Sequence, residues 1–277
     1  MCSKGTDWVW NDELNATCGQ NVSTAHWMIC CGVFVSNSWE SFSISSLEST
    51  RRLYRYNRGM DAGTALRLSQ INQEFYTRFG DAFSATRHRI QPGVRRVLDR
   101  LNGGESILDL GCGNAELARE LAKRGHRGPY LGLDFSAPLL RDAEPQPEGF
   151  SAGFIEADLT QLAEYSDQLS IPGGWSMITA FAVLHHIPSH EMRLRILQTI
   201  HGLLAEDGKF VLSNWKFLNS EKLRGRIQEW SEVGLSEGQV DPGDYLLDWR
   251  SGGDGLRYVH HFREEELTSL AKAAGFA

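Results

Sequence analysis

The stretch SILDLGCGNAEL, residues 106–117, decides how the chain folds. An apolar run over 106–110 passes into a glycine pair, Gly111 and Gly113, and then into a helix-forming segment. Glycines so spaced let the backbone turn sharply and approach a ligand with no Cβ in the way. The helix beyond aims its free N–H groups and the positive end of its dipole at that ligand. The arrangement suits an anionic or carboxylate-bearing group. Glu116 stands where a third glycine would complete G-x-G-x-x-G, so the dinucleotide fingerprint is absent.

Working outward, strands and helices alternate. Strands are expected over 106–110, 130–134, 153–158, 176–181 and 209–214, and helices over 115–124, 137–143, 161–169 and 189–204. The last helix carries Ile196, Leu197, Ile200, Leu203 and Leu204 as an apolar stripe. Repeated strand–helix units give parallel strands with right-handed crossovers. The expected fold is α/β, a doubly wound, mostly parallel Rossmann-like sheet with its ligand crevice at the carboxyl ends of the strands. Two helices precede it, one starting near residue 61 and one over 92–101, with Pro92 in the first turn. An insertion over 216–262 holds a helix, SEKLRGRIQEWSEV, and a hairpin, DYLLDWRSGGDGLRYVHHF. A final helix begins near Arg263.

Residues 1–59 differ from the rest. They are rich in Ser, Trp and Cys and show neither a helical nor an alternating period. They are read as a disordered or non-native extension ahead of a start at Met60. Four of the five cysteines lie there with His26, but no C-x-x-C pair marks a metal site, and none is expected. Without a disulfide framework or a membrane-spanning run, the chain reads as cytoplasmic. A net charge of -7 gives no global attraction for a polyanion.

Polar groups at the strand tips carry the chemistry. Asp134 ends the second strand (LGLDFS), about twenty residues beyond the glycine turn, where an acid accepts hydrogen bonds from ribose hydroxyls. Asp158 ends the third (EADL), within reach of an adenine amino group. In that order LDLGCGN, LGLDFS, EADL and FAVLHHI resemble the S-adenosylmethionine site of class I methyltransferases. The resemblance implies that Asp109, Gly111 and Gly113 surround the methionine part of S-adenosyl-L-methionine; Cys112, between the glycines, reads as a small packing residue and is counted with them at the cofactor. It implies Asp134 and Phe135 at the ribose, Asp158 and Leu159 at the adenine, and Phe181 near the sulfonium. Tyr76 would cover the cofactor.

Two further stretches resemble the tRNA wobble-uridine carboxymethyl methyltransferases. FYTRFGDAFSATRHRIQP holds their Phe-Ser-x-Thr-Arg run as Phe83, Ser84, Thr86 and Arg87, and FAVLHHIPSHEMRLRIL is similar to their fourth-strand motif. The pattern GDYLLDW…LRYVHHFREEEL is similar to their C-terminal region, so the likeness covers about residues 72–277. Residues 60–277 then form a class I methyltransferase domain, with 216–262 on the substrate side. The text after Arg87 departs from the family, which carries aromatic residues and Trp-Pro there. The chain also stops after AAGF, where class I enzymes add two strands, so the final strand pair is expected to be missing.

The resemblance implies methylation of a carboxylate on tRNA, and it leaves room for a small activator subunit. Arg87 would clamp a carboxylate. His185 and His186 follow the fourth strand, and on an extended segment they point opposite ways. Only one of them can face the acceptor, and His186 is the choice. Arg87, Arg89, Arg95, Arg96 and Arg100 could hold RNA phosphates, Arg96 and Arg100 sharing a helix face. The alternatives are transfer to a small-molecule carboxylate, hydroxyl or carbon acceptor under a 216–262 lid, and cofactor binding without turnover.

Overall fold

The structure is a computed structural model that describes residues 7–8, 25–31, 59–85, 90–143, 149–250 and 253–276, the first two segments as backbone only. Helix α1 (Ala62–Ser84) opens on Asp61, whose carboxylate accepts the Thr64 N–H at 3.0 Å and caps the first turn. Helix α2 (Pro92–Leu98) follows. The strands β3 (Ile107–Leu110), β4 (Tyr130–Asp134), β5 (Ala152–Glu156), β6 (Trp175–Phe181) and β7 (Leu204–Trp215) then alternate with helices α3 (Glu116–Lys123), α4 (Ala137–Ala143), α5 (Ser166–Leu169) and α6 (His190–Leu203).

These five strands lie parallel in the spatial order β5-β4-β3-β6-β7. The order reverses between β3 and β6, which opens a crevice above their carboxyl ends. Both faces of the sheet are covered, so β3 is buried throughout and reads as an almost unbroken apolar run. On one face Leu108, Leu110 and Ile178 pack with Ile196, Leu197 and Ile200 of α6. On the other, Ile107, Met177 and Val211 pack with Val94, Val97, Leu117 and Leu121.

At the far edge, β7 is flanked by β2 (Ala25–Cys31), which runs antiparallel to it from Ala25 opposite Trp215 to Cys30 opposite Phe210. A two-residue strand, β1 (Asp7–Trp8), pairs with β2. The N-terminal segment, expected to hold no regular element, therefore supplies an antiparallel edge, and β7 has a neighbour that the expected sheet did not provide. The N-terminal cysteines lie outside the residues whose side chains are described.

The 216–262 segment also differs from expectation. Its helix is one turn, α7 (Glu221–Arg224), ended at Gly225, because the next residues pair as β8 (Ile227–Gln228) with Leu247 and Leu246. A 3-10 turn covers Trp230–Val233. The hairpin forms as expected, β9 (Asp244–Trp249) with β10 (Gly255–His260). This antiparallel sheet packs on α1, where Leu68, Leu246 and Tyr258 are fully buried together with Ile71 and Trp230. Helix α8 (Glu264–Ala273) returns to the main sheet through Leu267 and Leu270.

Two smaller expectations fail. Helix α2 ends at Leu98, so Arg96 and Arg100 share no helix face, although Arg95, Arg96 and Arg100 are all exposed. The helix expected over 161–169 is a 3-10 turn, Leu159–Tyr165, with the short α5 behind it.

Gly174, at φ +78°, feeds β6 under the backbone of Leu204 and Ala205, and a Cβ built there comes within 2.5 Å of the Ala205 nitrogen. Gly174→Ala is expected to lower stability by about 1–3 kcal/mol. The urea midpoint should fall with an unchanged m-value.

Candidate active site

The glycine turn is built by backbone geometry. Gly111 has φ +70° and Gly113 φ +55°, the left-handed region that favours glycine. A Cβ at Gly111 would overlap the Val183 side chain, whereas one at Gly113 would meet nothing within 4 Å. The first glycine thus serves packing, and the second leaves a clear approach. Two alanines beside the turn are also left-handed, Ala115 ahead of α3 and Ala182 just after β6, both at φ 59°. Such residues hold strain of about 1–3 kcal/mol each and cluster at functional sites.

A cavity of about 260 Å³ lies over this turn, at the carboxyl ends of β3, β4 and β6. Of the residues singled out in the sequence, Tyr76, Asp109, Gly111, Cys112, Gly113, Asp134, Phe135, Asp158, Leu159, Phe181 and His186 all line it. Arg87 and Arg89 fall outside the described residues.

Asp134 ties the turn to the sheet. Its Oδ2 accepts the Gly113 N–H at 2.9 Å and its Oδ1 accepts the Ser136 N–H at 2.9 Å. Asp109 sits deeper, accepting the hydroxyls of Tyr130 and Thr179 at 2.6 Å each. Burial pushes both carboxyls up to about 6, and the charge of Asp134 adds to the effect on Asp109. The Cys112 thiol is pushed well up by burial and by both carboxylates, so it packs as an unreactive thiol. Asp158 follows β5 and caps the Leu159–Tyr165 turn through Thr160, while its Oδ2 accepts from Gln73 Nε2 at 2.8 Å.

The opposite end of the cavity is aromatic. Tyr76 contacts Phe83, Phe135 and His186 edge-on, with ring centroids 5.2, 5.8 and 5.5 Å away. The two histidines lie on a 3-10 turn, Leu184–His186, not on an extended segment. His186 alone of the pair lines the cavity. His185 is fully buried, stacks on Trp215 at 5.2 Å and faces the Asn214 Oδ1 at 3.3 Å. Burial, and next the neighbouring His186, hold its imidazole well below the usual range, so it packs neutral.

His186 is oriented from two sides. Its Nδ1 is 3.1 Å from the carbonyl oxygen of Tyr258, a group that only accepts, so Nδ1 carries the hydrogen. In the neutral ring, Nε2 then accepts from the Tyr76 hydroxyl at 2.9 Å. Asn72 completes the arrangement, donating to the His186 carbonyl at 3.1 Å and accepting the Tyr258 N–H at 2.8 Å.

Asn72, Gln73 and Trp215 were not singled out in the sequence. Ser69, Asn72, Gln73 and Tyr76 share one face of α1 at helical spacing and all line the cavity. That polar stripe on an otherwise core-facing helix was the available signal. Trp215 ends β7 and carried no signal of its own.

Residues 83–277 match a family model described as a methyltransferase domain. The chain is 30% identical over 214 residues to a protein of Encephalitozoon cuniculi named as a candidate methyltransferase, covering 75% of this chain and 90% of that one. It is 29% identical to a 2-phytyl-1,4-naphtoquinone methyltransferase of Nostoc, over 56% of this chain and 66% of the relative. It is 25% identical to the tRNA (carboxymethyluridine(34)-5-O)-methyltransferase of Schizosaccharomyces pombe, over 73% of this chain and 86% of the relative. A solved S-adenosylmethionine-dependent methyltransferase structure from Methanosarcina mazei superposes with a TM-score of 0.50 at 22% identity, covering 67% of this chain and 84% of that one.

A carboxyl whose value is raised by folding holds its proton more firmly when folded. These two carboxyls therefore contribute a loss of stability as pH rises from about 4 to about 6, levelling off above. Asp134→Asn should shallow that decline in urea titrations. If Asp134 accepts ribose hydroxyls, its ionised carboxylate is the stronger acceptor, so calorimetry should then find S-adenosylmethionine binding weaker below about pH 6 in the native chain. In Asp134→Asn, affinity should be about tenfold lower and less dependent on pH across that range, where Asp109 still titrates.

Proposed function

The chain belongs to the methyltransferase-domain family and transfers a methyl group from S-adenosylmethionine; from that premise we propose that its acceptor is the carboxymethyl group of a tRNA wobble uridine. One observation carries this reading. The three stretches that hold the resemblance to that family, far apart in the chain, meet at one end of the cavity around Tyr76. Phe83 and His186 both touch the Tyr76 ring, and Tyr258 of the hairpin bonds His186. The Schizosaccharomyces pombe relative supports the same acceptor.

The residues present fit S-adenosylmethionine. A left-handed glycine with open space beside it, a buried carboxylate at the tip of β4 and a second carboxylate beyond β5 face one cavity. Gly111, Cys112, Gly113 and the backbone at Asp109 would hold the methionine part, Asp134 and Phe135 the ribose, and Asp158 and Leu159 the adenine. Phe181 and Tyr76 would flank the sulfonium. When bound, the cofactor supplies a methyl made electrophilic by the positive sulfur.

A carboxylate acceptor is ionised at neutral pH, so the chain need not remove a proton from it. Its residues hold acceptor oxygen, methyl carbon and sulfur in line, which supplies at best about 7–11 kcal/mol. The transfer neutralises charge, so the apolar wall of Phe83, Ile90, Val94 and Ile187 assists by excluding water. Arg87 would clamp the acceptor carboxylate, and His186 would stand at the acceptor.

A second reading, a small-molecule hydroxyl acceptor, is favoured by the Tyr76–His186 bond. The Tyr76 hydroxyl, donating to Nε2, forms a relay through which the proton of an acceptor hydroxyl would pass to His186.

Methyl-labelled S-adenosylmethionine, incubated with bulk tRNA and separately with a metabolite fraction, distinguishes the two. On the first reading label enters tRNA, tRNA binding weakens with salt, and mild alkali releases the label from the ester. Label confined to small molecules and stable to alkali overturns it. His186→Ala is expected to slow transfer about 100-fold while the cofactor Kd moves less than about threefold.

A further inference from the structure

We infer that Arg193, which lies outside the cavity, is a positioning residue for methyl transfer: its guanidinium ties the His186 segment to the β9–β10 hairpin and thereby fixes which nitrogen His186 turns to the cavity. The inference rests on the reading that His186 stands at the acceptor.

Arg193 projects from α6 and is 1% exposed, yet every direction of its guanidinium is occupied. Nε donates to the carbonyl of Ile187, the residue after His186, at 2.9 Å. One terminal nitrogen donates to the Tyr258 hydroxyl at 3.0 Å and approaches the Asp244 carboxylate at 3.4 Å. The other meets Glu266 of α8 at 3.3 Å. The Tyr258 hydroxyl donates in turn to Asp244 at 2.7 Å. His260 stands between the same two carboxylates, with Nδ1 2.6 Å from Asp244 and Nε2 2.9 Å from Glu266.

These bonds close a circuit. Arg193 holds the backbone beside His186 and the side chain of Tyr258, and the Tyr258 carbonyl receives Nδ1–H of His186. Asn72 bridges the same two residues through their backbones. A neutral imidazole released from the carbonyl would populate both tautomers, and in the Nε2–H form its acceptor function toward Tyr76 would be lost.

Stability alone gives a weak reason for such a network, because a buried ion cluster can often be replaced by apolar side chains without loss. What apolar packing cannot reproduce is direction. An arginine fork sets donors at fixed angles on four separate elements, β9, β10, α8 and the turn before α6. The hairpin meets the end of β7 through apolar and ring contacts, Val259 and Leu247 with Phe217 and Arg257 over Trp215, which carry little directional restraint, so orientation at His186 gains from a tie of this kind.

The test uses the full chain labelled with 15N-histidine, and His186→Asn assigns the His186 signals. At pH 8, native His186 should show a protonated, slowly exchanging Nδ1 and an unprotonated Nε2. Arg193→Met and Tyr258→Phe should convert it to a tautomer mixture and speed amide exchange of residues 255–260 about tenfold. The S-adenosylmethionine Kd should stay within about threefold in both. Nε2–H in the native protein overturns the inference. So does an unaltered His186 signal in Tyr258→Phe, which removes a single oxygen and decides the matter even where Arg193→Met fails to fold. Failure of the native chain to bind S-adenosylmethionine would defeat the functional reading while leaving the tautomer result readable.

Discussion

The hydrogen bond from the Gly113 amide to the Asp134 carboxylate, beside those from the Gly111 and Cys112 amides to the Leu133 carbonyl, joins the glycine turn to the tip of the neighbouring strand, and the ligand site is arranged about it. The turn can pass close to β4 because Gly111 and Gly113 accept left-handed backbone. It is held there because Asp134 spends one oxygen on it and the other on the Ser136 amide. Directional restraint of this kind keeps the mouth of α3 open toward the cavity.

The site carries costs that the rest of the fold offsets. Two carboxyls are buried within reach of one another's field, and two alanines sit in left-handed backbone. None of this aids folding. It persists because the double-sided sheet, with its apolar runs in β3 and β6 and cover from α2, α3, α6 and α8, fixes the strand tips independently of the site. A rigid sheet with strained, polar tips matches the requirement for oriented groups around a reacting methyl.

The small antiparallel sheet has a different role. It packs through Leu246 and Tyr258 on Leu68 and Ile71 of α1, the helix whose polar stripe lines the cavity. Helix, hairpin and the His185–His186 turn are thus one mechanical unit, bonded through Asn72 and Tyr258. Geometry at the Tyr76 end of the cavity depends on contacts between residues more than 100 positions apart, such as Asn72 with His186.

The amino-acid sequence by itself determined the alternating strands and helices, the glycine turn and the acids at the strand tips. Each is written locally, in runs of apolar residues, in glycine spacing and in single carboxylates at fixed offsets. It also determined the β9–β10 hairpin, since two apolar stretches flank a glycine-rich turn. It misled wherever a distant partner overrode local preference. Residues 227–228 read as helix but pair with Leu246 and Leu247, and 25–31, with no clear period, find an edge on β7. His186, chosen over His185 on an extended geometry, does line the cavity, but for another reason: the pair lies on a 3-10 turn, and Trp215 and Asn214 capture His185. Tertiary structure alone decided the tautomer of His186, the bond from Gln73 to Asp158 and the closed circuit through Arg193. Each requires a directional contact across the fold, and hydrogen-bond geometry leaves no trace in composition or period.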